Sequence, residues 1–190
     1  ALRGMERAPT ADGTASAAAL AEQVYERLRT HEDVHNGGFG GAPKFPPHET
    51  LRLLLTQPSI GADAASTLGI ALRALHAMAA GGIRDQLGGG FARYSVDAAW
   101  HVPHFEMMLY DNAAMLRNYA TAYALTADVA LRDVAYSVVS WLLRTLAFDP
   151  AGSGTPLGYR YEPSRHGGGD TAPLPLEVGF FNALDADQAG

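Results

Sequence analysis

One short motif recurs at a spacing that restricts the fold of this chain more than any other feature. Gly37-Gly38-Phe39 and Gly89-Gly90-Phe91 stand 52 residues apart, and each follows an apolar periodic segment, a few polar residues and an acid, Asp33 or Asp85. Gly179-Phe180 is a shorter echo. A period of about 50 residues matches one helical hairpin with its connector, the repeating unit of an αα-toroid. The competing account is chance recurrence in a chain that holds 21 glycines.

The segments between the motifs read as helices. Leu20, Val24 and Leu28 recur every four residues between Ser16 and about Asp33, the period of an amphipathic helix. A loop from Val34 to Pro47 leads to a short helix over His48–Gln57, opened by Pro47 and ended by Pro58. Ala62–Ala80 carries the stripe Leu68, Leu72, Leu75 and Met78, and Gly81-Gly82 stops it. The spacing predicts the strongest helix over His104–Leu125, with Pro103 at its start, and another from a Thr126 or Asp128 cap to about Phe148. Residues 1–15 read as a loose lead-in, and short strands are expected near Leu157–Glu162 and Val178–Ala183. The fold class is therefore all-α, a partial (α/α)6 toroid whose Gly- and aromatic-rich loops, residues 35–46, 83–104 and 178–187, gather at one rim.

Composition excludes several functions. The net charge is −6 and the sole lysine is Lys44, so no basic field or stripe exists to track a nucleic acid backbone. With no cysteine, thiolate metal sites and thiol redox chemistry lie outside these residues. No apolar run reaches the roughly 20 residues that span a bilayer, and the expected setting is the cytoplasm. The start at Ala1, without an initiator Met, and the turn-like end at Gly190 read as those of a fragment.

Chemistry-bearing residues concentrate between Trp100 and Asn112: two histidines, two carboxylates, a tyrosine and an amide. On a regular helix His104 and Asp111 would share a face two turns apart. Glu106 and Asp111 would diverge by about 140°, so Glu106 pairs more naturally with Tyr110. A second carboxylate for general acid–base work would then come from another loop, Asp85 or Asp187. The plainer reading of Glu106 is a carboxylate opposing the helix dipole, and of His104 a cap or a core hydrogen bond. Asp185 and Asp187 share a face if extended and, with Asn182, are placed for sugar hydroxyls or a cation, or else form a solvated turn. The long loops carry Phe39, Phe45, Phe91, Tyr94 and Trp100 among glycines. Such rings serve as stacking platforms or plug the mouth of a toroid. His101 and His104 are too close for a helical metal pair, Gly88-Gly89-Gly90 follows no strand, and no serine elbow is present. No metal or cofactor is expected.

Three blocks resemble one family: Gly37 to Pro46 (GGFGGAPKFP), Gly81 to Asp97 (GGIRDQLGGGFARYSVD), and Trp100 to Asn112 (WHVPHFEMMLYDN); Gly179 to Asp187 is similar to a further block. The resemblance, over residues 16–190, is to the spermatogenesis-associated, thioredoxin-domain-containing protein family. It implies a helical domain similar to six-hairpin glycosidases and N-acylglucosamine epimerases, with this chain as its front portion, cut before the later hairpins. It also implies an N-terminal thioredoxin-like domain in the same full-length protein as the partner, absent from these residues. Where the family commonly has a lysine after His-Phe-Glu, this chain has Met107, which removes a partner for Glu106.

The resulting expectation is a carbohydrate-active-like domain, glycosidase- or epimerase-like, that acts on or binds a sugar-like compound at the rim. Glu106 and Asp111 would be the acid–base or hydroxyl-binding carboxylates and His104 the proton-transfer partner. Asp85, Tyr94, Tyr110, Asp185 and Asp187 would line the pocket, with Phe91 and Trp100 as stacking surfaces. The alternatives are a non-catalytic helical scaffold or interaction module accompanying a thioredoxin-like redox domain, and a degenerate enzyme that binds without turnover.

Overall fold

The computed structural model describes residues 16–57, 64–148, 179–180 and 183–184. It is mostly helical: α1 (Ala17–His31), α2 (His48–Thr56), α3 (Ala64–Ala80), α4 (Leu109–Thr126) and α5 (Val129–Trp141). Ser16 caps α1 by accepting from the Ala19 N–H. A two-residue link joins α4 to α5. Ala127 takes a left-handed φ of 56°, and the Asp128 carboxylate accepts from the Ala130 N–H to start the next helix. That tight link makes α4 and α5 an antiparallel hairpin, the most closely packed pair in the molecule.

Helices alternate between two layers. α2 packs on α4, α3 on α5, and α2 and α4 each pack on the helix that follows. The core between them holds Leu51, Leu54 and Leu55 of α2, Ile70, Leu75 and Met78 of α3, Met115 and Tyr119 of α4, and Leu131, Val138 and Trp141 of α5. α1 adds Tyr25 and Leu28, and its end is tied to α3 by a two-pronged Glu32–Arg73 ion pair at 2.7 and 2.9 Å. Long connectors follow α1 and α3, and both lie at the same end of the hairpins.

The repeat in the sequence is a repeat in structure. Asp33 N–H donates to Gly38 O and Gly37 N–H to Asp33 O; one period later Asp85 N–H donates to Gly90 O and Gly89 N–H to Asp85 O. Each aspartate also accepts from two backbone N–H groups, of His35 and Asn36 or of Leu87 and Gly88. Each phenylalanine pairs back to the residue before its acid, Phe39 to Glu32 and Phe91 to Arg84. The glycines are required on two grounds. Gly37 and Gly89 have φ of +70° and +80°, and a Cβ there would sit 2.8 Å from the Arg73 carbonyl or 2.5 Å from that of Ser137. The third connector follows the same plan: after α5 and a π-turn (Leu142–Leu146), Ala147–Phe148 (β2) pairs antiparallel with Gly179–Phe180 (β3). In that register Phe148 stands where the first two units have an aspartate.

The connectors are stitched together. Lys44 and Ser95 exchange backbone hydrogen bonds at 2.8 Å, and the buried Trp100 indole N–H donates to the carbonyls of Asn36 and Gly37 at 2.8 and 3.2 Å. Met107–Met108 (β1) pairs with Ala183–Leu184 (β4). Connector residues 32–47, 81–108 and 179–184 thus meet at one rim wherever they are described.

Several boundaries differ from the sequence reading. α4 begins at Leu109, five residues later than expected, because the preceding backbone is claimed by neighbours. His104 N–H donates to Tyr94 O, Glu106 O accepts from Arg93 N–H, Pro103 bridges Ser95, and Met107–Met108 joins β4. Pro103 therefore opens no helix. The α5 spacing expected to reach Phe148 stops at Trp141 and loosens into the π-turn. Within the strand expected over Val178–Ala183 lies β3, with β4 beginning at its end; the lead-in 1–15 and the strand near Leu157–Glu162 fall outside the described residues.

The sole lysine holds the first two connectors. Its ammonium is fully buried, 2.7 Å from Asp33 Oδ2, 3.0 Å from Ala98 O and 4.9 Å above the Trp100 ring. Partial burial opposes ionisation of Asp33, but the hydrogen bonds from Lys44 and Asn36 overcome it and hold the carboxyl well below its usual range. Removing one partner of a buried pair costs about 3–5 kcal/mol. Lys44→Ala is expected to lose that much in urea denaturation at pH 7, and a loss below about 1 kcal/mol would contradict the assignment. The stabilisation from Asp33 is complete above the ordinary carboxyl value near pH 4 and is lost as pH falls through its lowered value. Asp33→Asn should therefore be less stable than wild type at pH 7, with the gap closing on acidification.

Candidate functional site

The rim carries its polar residues on the extended segment 104–108, on the facing strand-like residues 92–95, and on the first turns of α2 and α4. Because residues 104–108 are extended, neighbouring side chains diverge. Glu106 turns toward Arg93, Oε2 to Nη1 at 3.3 Å, both about two-fifths exposed. Arg93 also lies over the Tyr110 ring, 5.8 Å from its centroid, and Tyr110 is itself 48 % exposed. The hydrogen bond to Glu106 raises the Arg93 guanidinium above its ordinary value, with Tyr110 and the charges of Glu106 and Asp111 adding to the effect. Arg93 supplies the cation that Met107 does not.

His104 stacks on Tyr94 at 4.5 Å and 14°, and Tyr94 stacks in turn on Phe45 at 4.7 Å and 29°. Phe45 is half exposed. The result is a ladder of three rings along the rim, with the two outer ones open to solvent. Asp111 lies in the first turn of α4, where a carboxylate is favoured by the helix N-terminus. Its side chain is 8 % exposed and Oδ1 lies 3.2 Å from His48 Nε2 in the first turn of α2. Beside it Arg117 of α4 donates to Glu49 of α2 at 2.8 Å, and Arg117 and then Arg52 hold that carboxyl below its usual range.

The candidate residues are therefore not all brought together. Glu106, Tyr110 and Asp111 act on Arg93, while Tyr94 and His104 stand together in the ring ladder with Phe45. Glu106 does not pair with Tyr110 through a helical turn, and His104 shares no helix face with Asp111, since only Tyr110 and Asp111 are helical. Asp85 lines a separate cavity of about 280 Å³ with Gly82, Ile83, Ala92, Pro103, Phe105 and Met107. One of its oxygens closes the Leu87–Gly88 turn. Phe91 and Trp100 have no exposed ring face. Phe91 stacks on Tyr119 at 5.5 Å inside the core, and Trp100 lies under Lys44. Their hydrophobic area is used by the fold, so they plug the toroid rather than offer platforms. Asp185 and Asp187 lie outside the described residues. Sequence reasoning missed His48 and Arg93, which meet their carboxylates only through tertiary contacts. Among the described residues no group of three or more His, Asp or Glu side chains is placed to hold a metal ion, and no helix is long and apolar enough to cross a membrane.

Asp97 shows how the rim loop keeps its shape. Partial burial works against its ionisation, but the N–H groups of Val102, His101 and Ala99 converge on its carboxylate and lower its pKa. This clamp spans Trp100, which takes a left-handed φ of 64°. Truncating a buried aromatic costs about 3–5 kcal/mol. Phe91→Ala and Trp100→Ala should each lower stability by that amount in chemical denaturation, whereas Tyr94→Ala, half open at the rim, should cost clearly less. Equal losses at all three positions would count against the distinction.

No family model matches the chain. Among curated proteins it is 39 % identical over 140 residues to human spermatogenesis-associated protein 20, covering 72 % of this chain and 18 % of that protein. The mouse protein of the same name is 38 % identical over 141 residues, 73 % of this chain and 18 % of the relative. An uncharacterised protein of Caenorhabditis elegans is 40 % identical over 112 residues, 55 % of this chain and 15 % of its own length. The chain thus spans less than a fifth of the curated relatives it matches. Among solved structures, a sugar epimerase from a ruminal bacterium superposes with a TM-score of 0.55 at 16 % identity, covering 66 % of this chain and 35 % of the epimerase. That likeness concerns the fold, an (α/α)6 toroid. On the sequence matches, the chain is similar to a segment of the spermatogenesis-associated protein 20 family, which carries a thioredoxin domain.

Proposed function

We propose that the rim binds, and acts on, a sugar-like compound through carboxylate and imidazole groups. The observation that carries this reading is the grouping of Arg93, Glu106, Tyr110 and Asp111 beside the ring ladder Phe45–Tyr94–His104. A half-exposed carboxylate–guanidinium pair offers acceptors and donors in fixed directions, which is what vicinal hydroxyls need. Exposed rings beside it supply an apolar face for the C–H side of a sugar. Glu106 and Asp111 are the acid–base or hydroxyl-binding carboxylates, and His104 is an accessory imidazole on the ladder. The sugar epimerase of similar fold supports a carbohydrate ligand, and the thioredoxin-like domain of the full-length protein is the partner.

A second reading has its own observation. Phe105 is 86 % exposed beside the 280 Å³ cavity, and Leu87 is fully exposed two residues beyond Asp85. Apolar side chains held in water suit a surface that meets another protein, the non-catalytic scaffold role.

A thermal-shift screen of the full-length protein against D-glucose, D-mannose and N-acetyl-D-glucosamine separates the two. A ligand at 100 times its Kd stabilises by about 2.7 kcal/mol, on the order of 5–10 °C for a domain of this size. The carbohydrate reading expects such a rise with at least one sugar, and its loss in both Glu106→Gln and Asp111→Asn. A rise that both variants keep, or no rise with any sugar, goes against it. Phe105→Asp leaving sugar binding intact while abolishing capture of the thioredoxin-like domain expressed separately is the outcome of the second reading.

A further inference from the structure

The aspartate turn of the repeat is filled differently in its two copies. In the first, Asp33 Oδ1 accepts the N–H groups of His35 and Asn36, while Oδ2 accepts from the Asn36 amide at 2.9 Å and the Lys44 ammonium at 2.7 Å. In the second, Asp85 Oδ1 accepts the equivalent N–H groups, of Leu87 and Gly88, and among the described residues nothing donates to Oδ2. Both donors are missing there for plain reasons. Gly88 stands where Asn36 does and has no side chain to give, and Met107 stands where Lys44 does. Two observations put Met107 in that place. The register is the same: Lys44 pairs with Ser95 and Met107 with Leu184, each partner four residues after the phenylalanine of the next unit. The side chains also reach the same spot. Lys44 Cε lies 3.6 Å from the position a Cβ on Gly38 would take, beside the Trp100 ring; Met107 Cε lies 2.8 Å from that position on Gly90, beside the Trp141 ring.

A thioether has no charge and no hydrogen to donate, so the second carboxylate has the turn but not the cation. Arg144 does not replace it: the guanidinium donates to the Gly88 carbonyl and, among the described residues, forms no ion pair with Asp85. Asp85 is exposed and borders the cavity of about 280 Å³, whose other walls include Ile83, Pro103, Phe105 and Met107. That volume is close to the roughly 300 Å³ at which small-molecule sites begin. A single carboxylate on an otherwise apolar wall suits an organic cation, with the charge on the oxygen and the stem along the apolar side chains.

We propose that this cavity binds a primary ammonium on an unbranched apolar stem, the group that Lys44 supplies to the first unit. The ammonium donates to Asp85 Oδ2, and the stem lies along Ile83, Pro103 and the Phe105 ring. The site is separate from the Arg93 cluster and stands or falls independently of the carbohydrate reading. A free alkylamine and the lysine side chain of a peptide both present this group.

The test is calorimetric titration of the full-length protein at millimolar concentrations of n-pentylamine, of Nα-acetyl-L-lysine methylamide, and of n-pentanol, which has the stem without the charge. Wild type should prefer n-pentylamine to n-pentanol by about fivefold, the upper end for an exposed ion pair. Binding of the lysine amide as well extends the ligand to peptides; its failure beside a bound n-pentylamine restricts the site to free amines. Asp85→Asn keeps the oxygen that Leu87 and Gly88 need, so the turn stands, and should erase the preference for the amine. Met107→Lys keeps the carboxylate and brings the chain's own ammonium to it, as Lys44 does for Asp33, and should abolish amine binding. Circular dichroism checks that both variants keep their helices, and either one suffices if the other fails to fold. Equal binding of amine and alcohol by wild type, amine binding unchanged in Asp85→Asn or in Met107→Lys, or no binding of either amine overturns the proposal.

Discussion

The rim is organised around one buried charge. The Lys44 ammonium has no exposed surface, and it meets the Asp33 carboxylate, the Ala98 carbonyl and the Trp100 ring at once. A charge in such a place is tolerable only with its partners in position, because desolvation costs several kcal/mol per ion. That requirement fixes three pieces of chain relative to one another: the first turn after α1, the strand-like arm before α2, and the Asp97 loop that carries Trp100. Two connectors more than 50 residues apart are thereby held as one unit.

Around that unit the molecule repeats one solution. A helix ends, an aspartate gathers the N–H groups of the next turn, two glycines with positive φ reverse the chain, and a phenylalanine pairs back to the residue before the acid. The second glycine of each turn lies against an indole, Gly38 on Trp100 and Gly90 on Trp141. Each connector therefore leans on the following unit, and a curved stack of hairpins results. The third unit keeps the backbone pairing with Phe148 in the acid's place, so the pairing does not depend on the aspartate, which sharpens the turn.

The same economy sets what the rim has to offer a ligand. Phe91 and Trp100 are absorbed into the stack as packing, while Arg93, Tyr94, His104, Glu106 and Tyr110 remain at the surface. The dividing line is backbone conformation. Extended pairing of residues 92–95 with 103–106 sends Glu106 across to Arg93 and His104 onto Tyr94; a helix from His104 would have set both on the flank of α4. The polar cluster exists because β-like pairing outcompeted the helical pattern over five residues.

The sequence alone determined the hairpin period, the helices over their central turns, and the concentration of chemistry between Trp100 and Asn112. Helical periodicity and glycine-requiring turns are local properties, written in residues a few positions apart. It determined Glu106 and Asp111 as rim residues, but not what they touch. Where α4 starts, which aromatics are plugs, and the pairing of Glu106 with Arg93 and of Asp111 with His48 were decided by the tertiary structure. The two carboxylate pairings depend on contacts 13 and 63 positions apart, and hydrogen-bond demand at such distances leaves no periodic mark on the chain. A histidine after Pro47 looks like any helix-starting polar residue until α4 brings a buried carboxylate to it.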